Sequence, residues 1–176
     1  MVVRVELNSW VQAEEHFRDL DQDQGREHYD RDMFNCELAL NLVGIGTLFS
    51  CRGHLDGLPA FPYITIVPQR EVAGLVPRYV SIMETQPLSP AALTVKNTIA
   101  KAMSELRQRL LSLLAGFYEQ RQTPLPFRLV VQSNGVGSYT LLNQGAIAGL
   151  PSDRETLRAY QDEFMALAEY LASVWE

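Results

Sequence analysis

A long series of regularly spaced apolar residues in the second half of the chain restricts its fold more than any other feature. Ser89 and Pro90 are typical of the N-cap and first turn of a helix. Beyond them the apolar residues step by three and four, which predicts one long helix with a single apolar face. We expect a core helix beneath a sheet, and a dimeric coiled coil through the same seam is the alternative. The seam consists of Ile99, Met103, Leu106, Leu110, Leu113 and Phe117.

Three further helices are predicted from the same periodicity and from end signals. One covers about residues 26–43 and is ended by Gly44, because glycine readily adopts the left-handed conformation that follows a helix. A second covers Glu71–Glu84 and is weakened by Pro77 in its middle. The last begins at a capping box, Ser152 to Glu155. Its apolar stripe consists of Leu157, Tyr160, Phe164, Leu167, Leu171 and Val174.

Short runs rich in β-branched and apolar residues predict the strands. Gly46–Ser50 and Tyr63–Val67 form one pair of neighbours, and Phe127–Gln132 and Ser138–Leu142 form a hairpin around residues 134–137. Two hairpins separated by helices favour an antiparallel or mixed sheet covered by helices. We therefore predict a single α+β domain over residues 1–176. An additional strand, Val2–Leu7, is predicted before a helix that Ser9 caps and Trp10 begins.

Composition excludes several classes of function. The net charge of −6 argues against a general nucleic-acid-binding surface, which needs clustered Lys and Arg. The longest basic grouping, Arg107-Gln108-Arg109, is expected on the solvated side of a helix. No apolar run approaches the roughly 20 residues that span a bilayer. With Cys36 and Cys51 as the two cysteines and no signal-peptide pattern at the N-terminus, we expect a cytoplasmic protein.

The segment Ser50-Cys51-Arg52-Gly53-His54 concentrates a hydroxyl, a thiol, a guanidinium and an imidazole at the end of a strand. In a straight strand Cys51 and His54 would point to opposite faces. Gly53 permits a sharp turn that could bring their side chains together. Strand ends and the loops that follow them are common places for binding sites.

Several interpretations of this segment are open. Arg52 and His54, with exposed backbone N–H groups, could hold a small polar or anionic ligand, in a pocket that Ser50 and Cys51 also line. Alternatively, Cys51 is a nucleophile activated by His54 or by the charge of Arg52, which would make these two the catalytic residues. The structural alternative is that Cys51 is a small core residue and His54 a hydrogen-bonded turn residue.

A zinc ion is a further alternative for the same segment. Thiolate and imidazole suit zinc, so Cys51 and His54 could be ligands together with Cys36, His28 or Asp56. A structural zinc site needs four ligands, and a lone Cys-x-x-His pair is a weak signal. We therefore assign no metal site, and the sequence identifies no cofactor.

Residues Gly44–His54, followed by Pro62-Tyr63-Ile64, resemble a motif of uncharacterised bacterial and phage proteins. In those proteins a helix ends in Gly, a strand leads to Ser-Cys-x-Gly-His, and a second strand begins near Pro-Tyr-Ile. The resemblance covers Cys36 to Ile66, and Arg52 stands where an acidic residue is more usual. It implies no settled activity.

The segment Thr47–His54 is also distantly similar to the Thr-x-x-Ser-Cys-x-Gly-Arg segment of the methyltransferase family of wybutosine synthesis, with His54 in place of Arg. That similarity implies a local fold and a tRNA-modification methyltransferase as one alternative. Our leading expectation is a small binding or accessory protein from a phage or mobile-element context. An enzyme that uses Cys51 and His54 is the second expectation, and a structural protein that dimerises through the long seam is the third.

Overall fold

The computed structural model describes residues 15, 31–57, 60–68, 70–86, 89–149 and 153–175. Within them the strands and helices follow one another as an α+β arrangement, as expected. The strands are β1 (Gly46–Cys51), β2 (Tyr63–Val67), β3 (Leu129–Ser133) and β4 (Tyr139–Asn143). The helices are α1 (Arg31–Leu42), α2 (Arg70–Ala73), α3 (Leu75–Thr85), α4 (Pro90–Glu119), α5 (Gln144–Ile147) and α6 (Arg154–Trp175), with a 3-10 turn at Leu125–Phe127.

The four described strands form one antiparallel sheet in the order β1-β2-β4-β3. Both predicted hairpins are confirmed, since β1 pairs with β2 and β3 pairs with β4, and β2 joins the hairpins by pairing with β4. The second hairpin turns through Gly135 and Gly137, whose φ angles of 75° and 90° suit glycine. The predicted Val2–Leu7 strand and the helix from Trp10 lie outside the described residues.

One face of the sheet, which we call the core face, packs on the helices. Ile64, Ile66 and Leu141 point to this face and are completely buried. Tyr139 lies on the same face, and its hydroxyl donates a hydrogen bond to the Met103 carbonyl of α4 at 3.0 Å. Residues of α1, α4 and α6 join these side chains in a single apolar cluster. The long helix is therefore a core helix beneath the sheet.

The apolar seam of α4 is buried within the chain, so it is not available as a dimer interface without unpacking the core. The N-cap prediction is confirmed, because Ser89 Oγ accepts a hydrogen bond from the Ala92 N–H at 3.1 Å. One position in the predicted seam is wrong: Leu114 is buried, and Leu113 is only partly so. A seven-residue repeat drifts around a straight helix of 3.6 residues per turn, and the buried stripe follows the helix. Its members are Ala92, Val95, Ile99, Met103, Leu106, Leu110, Leu114 and Phe117.

Two predicted helix features are corrected. Glu71–Glu84 is two helices, and Pro77 lies in the first turn of α3 after the break at Gly74. A first-turn residue needs no intrahelical N–H bond, so proline is tolerated there. In α6 the helix begins at Arg154, and Asp153 Oδ1 accepts the Thr156 N–H at 2.7 Å. Asp153 therefore caps this helix in the place predicted for Ser152, which lies outside the described residues.

The end of α1 fixes where β1 begins. Gly44 has a φ of 77° and ends the helix, as predicted. Arg109 of α4 donates a hydrogen bond to the Val43 carbonyl at 2.7 Å, so this arginine of the basic grouping caps α1. Asn41 Nδ2 donates to Thr47 Oγ1 of β1 at 2.8 Å. In the described part of the chain, no helix combines the length and apolar character needed to cross a membrane.

Candidate functional site

The 51–54 loop consists of the last residue of β1 and the three residues that follow it. Neighbouring elements hold its backbone. Gly53 has a φ of 82°, which confirms the predicted turn. It is buried, and a Cβ atom there would lie 2.7 Å from the Phe61 carbonyl carbon and 2.8 Å from Leu157 Cδ1. The chain can pass between Phe61 and α6 only because residue 53 has no side chain.

Two hydrogen bonds also hold the 51–54 loop. Gln161 of α6 donates from Nε2 to the Arg52 carbonyl at 3.0 Å. The Gly53 N–H donates to Cys51 Sγ at 3.4 Å. Contacts to β1, to Phe61 and to one face of α6 therefore determine the path of the backbone. The backbone from which the outward side chains extend is therefore held in place.

The strand register separates two of the predicted ligand-binding residues. Cys51 lies opposite Tyr63, and Ser50 lies opposite Ile64, which points to the core face. Because successive residues of a strand point to opposite faces, Cys51 and Tyr63 share the face away from the core cluster, here called the opposite face. The structure does not bring Ser50 to the same side as Cys51.

Tyr63 is a neighbour of Cys51 across the strand pair. Burial, and secondarily the electrostatic effect of the nearby Cys51, raise the pKa of the Tyr63 phenol. The phenol therefore stays protonated through the physiological range and can donate a hydrogen bond. The opposite face thus carries a thiol and a neutral phenol side by side at the end of the sheet.

Both basic side chains of the loop, Arg52 and His54, are exposed. The first turns of α6 add two arginines. Arg154 precedes Leu157 by three residues, and Arg158 precedes Gln161 by three, so each arginine neighbours a residue that touches the loop. Both arginines are exposed. The contact between loop and helix brings together two segments that are 109 residues apart in sequence, and each segment carries exposed basic side chains.

Carboxylates also lie in this region. Asp56 is exposed two residues beyond His54, and Glu155 and Asp162 are exposed on α6. On a helical projection, residues 155 and 162 lie further than Arg154 and Arg158 from the side that touches the loop. The cations are therefore the charged residues of α6 nearest to the 51–54 loop.

The zinc alternative receives no additional ligand from the fold. Within the described residues, no three His, Cys, Asp or Glu side chains are grouped so that they could hold a metal ion. Cys36 is completely buried in the core cluster, and burial raises the pKa of its thiol. His28, named with it, lies outside the described residues. Cys36, Cys51 and His54 do not form a ligand set.

A second polar cluster surrounds the buried Glu163 of α6, and we call it the Glu163 cluster (Tyr118, Arg121, Thr123 and Glu163). Glu163 Oε2 lies 2.9 Å from an Arg121 guanidinium nitrogen, and Thr123 donates to Glu163 Oε1 at 3.2 Å. Tyr118 Oη accepts the Leu129 N–H, and burial raises the pKa of this phenol. The Arg121 guanidinium also lies 4.9 Å above the Phe117 ring. The Glu163 cluster joins α4, α6 and the start of β3.

Several residues of the candidate site are missing from the sequence-based prediction. Tyr63 could be found from the register of the predicted strand pair, because it begins the strand opposite the one that ends at Cys51. Gln161, Arg154 and Arg158 carry no such signal, since only the tertiary fold places α6 against the loop. Comparison with protein-family models, curated proteins and solved structures found no match to this chain.

Proposed function

We propose that this protein binds a small anionic ligand at the 51–54 loop and the first turns of α6. The observation that carries the proposal is the anchored loop: Gly53 is enclosed by Phe61 and Leu157, and Gln161 holds the Arg52 carbonyl. Arg52 and His54 extend from this held backbone, and Arg154 and Arg158 lie one helical turn before the two α6 residues that contact it. Ser50 is not included, because its strand position faces the core side.

The chemistry of these side chains favours an anion. A guanidinium group matches the paired oxygens of a carboxylate or phosphate, and because its donors are held in one plane, less conformational entropy is lost per hydrogen bond. The whole chain carries a net charge of −6, so the basic side chains at this contact are the groups through which an anion would bind here. We further propose a cytoplasmic accessory role, in keeping with the bacterial and phage proteins that the Gly44–His54 segment resembles.

Inorganic phosphate is a direct probe of this site. We expect a titration followed by backbone amide NMR to give saturable shifts at residues 52–54 and 154–161. The same titration of His54→Ala should give weaker binding with otherwise unchanged spectra. Shifts that do not saturate, or that are scattered over the surface, would sink the proposal.

A thiol enzyme is the second candidate function, favoured by the position of Cys51. This cysteine is partly exposed at a strand end, and the Gly53 N–H is directed at its sulfur. Cys36 is buried and serves as an internal control. If Cys51 is a nucleophile, iodoacetamide at pH 7 should modify it much faster than a free cysteine, whereas Cys36 should react only after unfolding. An ordinary rate at Cys51 would remove this candidate.

A further inference from the structure

Two aromatic residues lie next to each other on the opposite face of the sheet. Phe49 pairs with Thr65, and Cys51 pairs with Tyr63, so Phe49 and Tyr63 are diagonal neighbours on one face. Diagonal neighbours are separated by roughly 7–8 Å, within reach of aromatic side chains. Phe49 is 62% exposed, and Tyr63 is partly exposed. A ligand that covers the Phe49 ring would remove apolar surface from water, which is favourable.

This aromatic pair lies directly before the cations of the 51–54 loop. Phe49 and Cys51 are two residues apart on one strand, and Arg52 and His54 follow at the end of that strand. Two aromatic side chains on one face of the sheet therefore precede two basic residues at the end of β1. A ligand that covers both must have an aromatic ring at one end and a negative charge at the other.

β1 is an edge strand among the strands that the structure describes, and its bulge favours a small molecule over a paired strand from a second copy. The ladder between β1 and β2 is irregular between Thr47 and Phe49, so Leu48 forms a bulge. Bulges disturb the regular spacing that an added strand requires and protect edges from pairing. The exposed ring of Phe49 is adjacent to this bulge.

We propose that the anionic ligand of this protein carries an aromatic ring, which stacks on Phe49 and Tyr63 while its phosphate or carboxylate group binds Arg52 and His54. This inference rests on the function proposed above and adds the chemical class of the ligand. Aryl phosphates and nucleoside phosphates have this form. Stacking of a ring on an aromatic side chain is sequence-tolerant in nucleic-acid sites because it needs only the face of the ring.

Calorimetric titration with phenyl phosphate and with inorganic phosphate separates the ring from the anion. We expect phenyl phosphate to bind about tenfold more tightly than inorganic phosphate. Phe49→Ala should remove this difference, and Phe49→Trp should keep it. Leu125→Ala is the matched control, because Leu125 is an apolar residue of similar exposure, 60%, on another part of the surface.

The outcomes distinguish this inference from the function on which it rests. If both probes bind with equal affinity and Phe49→Ala changes neither affinity, the ring of the ligand does not stack on Phe49. The inference is then overturned, while anion binding stands. A preference for phenyl phosphate that survives Phe49→Ala also overturns it. If neither probe binds the wild-type protein, the proposed function fails and this inference fails with it.

Asp56→Asn sharpens the anionic half of the proposal. Asp56 is an exposed carboxylate two residues beyond His54, and it weakens the local positive potential. We expect its removal to tighten the binding of both probes by about twofold and by the same factor. A change in the ratio between the probes would show that the ring and the anion do not occupy the separate places described here.

Discussion

The 51–54 loop and the Glu163 cluster both involve contacts with α6, but their polar groups have opposite roles. In the loop the backbone is held, by Gln161 and by close contacts at Gly53, and the charged side chains face solvent. In the cluster the charged side chains are themselves the contacts, since Glu163 engages both carboxylate oxygens. The polar side chains of the cluster thus contact one another directly, whereas the loop is held through its backbone and its charged side chains are exposed.

Replacement of Gly53 should produce the largest effect on stability. Gly53→Ala places a methyl group against the Phe61 backbone and also imposes a left-handed conformation on a residue with a Cβ. We expect the free energy of unfolding to fall by about 3 kcal/mol in urea denaturation. Gly135→Ala is the matched control: its φ is 75° but no atom lies within 4 Å, so we expect a loss of about 1 kcal/mol. Equal losses would show that Gly53 is not enclosed as described.

Neutralisation of Glu163 should have the next largest effect. Glu163 is 4% exposed and pairs with Arg121, whose Nε is buried without a partner among the described residues. Glu163→Gln should therefore lower the free energy of unfolding by about 2 kcal/mol. Glu105→Gln removes an exposed pair with Lys101 at 3.9 Å and should cost less than about 0.5 kcal/mol. Similar values for both variants would show that the cluster is not a stabilising contact.

Loss of the Gln161 contact should have a smaller effect on stability. Gln161→Ala removes one hydrogen bond to the Arg52 carbonyl, and we expect the free energy of unfolding to fall by about 1 kcal/mol. Phosphate binding should weaken too, because the loop is then less constrained. Gln132→Ala, on the exposed part of β3, is the control and should change neither quantity. Unchanged phosphate affinity in Gln161→Ala would argue against preorganisation by α6.

The pH dependence of α6 should be the smallest effect. The Thr156 N–H lowers the pKa of Asp153 below its ordinary value near 3.8. Since the folded pKa is depressed, this cap stabilises the protein above the unfolded pKa, and its contribution is lost as the pH falls through the folded pKa. Asp153→Asn should thus flatten the stability profile below about pH 4. The measurement is thermal unfolding of both proteins between roughly pH 2 and pH 5. Identical profiles would contradict the assignment of Asp153 as the helix cap.

Local patterns were sufficient for most of the fold. The strand pairs follow from alternation and turn residues, and Gly44 and Ser89 mark helix ends through their own conformations. The prediction was wrong where an apolar pattern was compatible with two helical periods. Leu113 fits a seven-residue repeat, but a straight helix buries Leu114.

The candidate site could be predicted only in part. The turn at Gly53 could be predicted, because glycine adopts positive φ angles readily and this glycine follows a predicted strand. The contact from Gln161 to Arg52 spans 109 residues, so no local pattern indicates it. Ser50 was grouped with Cys51 by sequence proximity alone, and only the register with Ile64 separates them.

The most direct test of this account is a single comparison of wild type with the double variant His54→Ala, Arg158→Gln, in which phosphate affinity and the free energy of unfolding are both measured. These side chains are exposed and belong to the proposed site. We expect stability to stay within about 0.5 kcal/mol of wild type and phosphate affinity to fall about tenfold. Unchanged phosphate affinity, or a large loss of stability, would contradict the claim that the 51–54 loop presents its charges to a ligand.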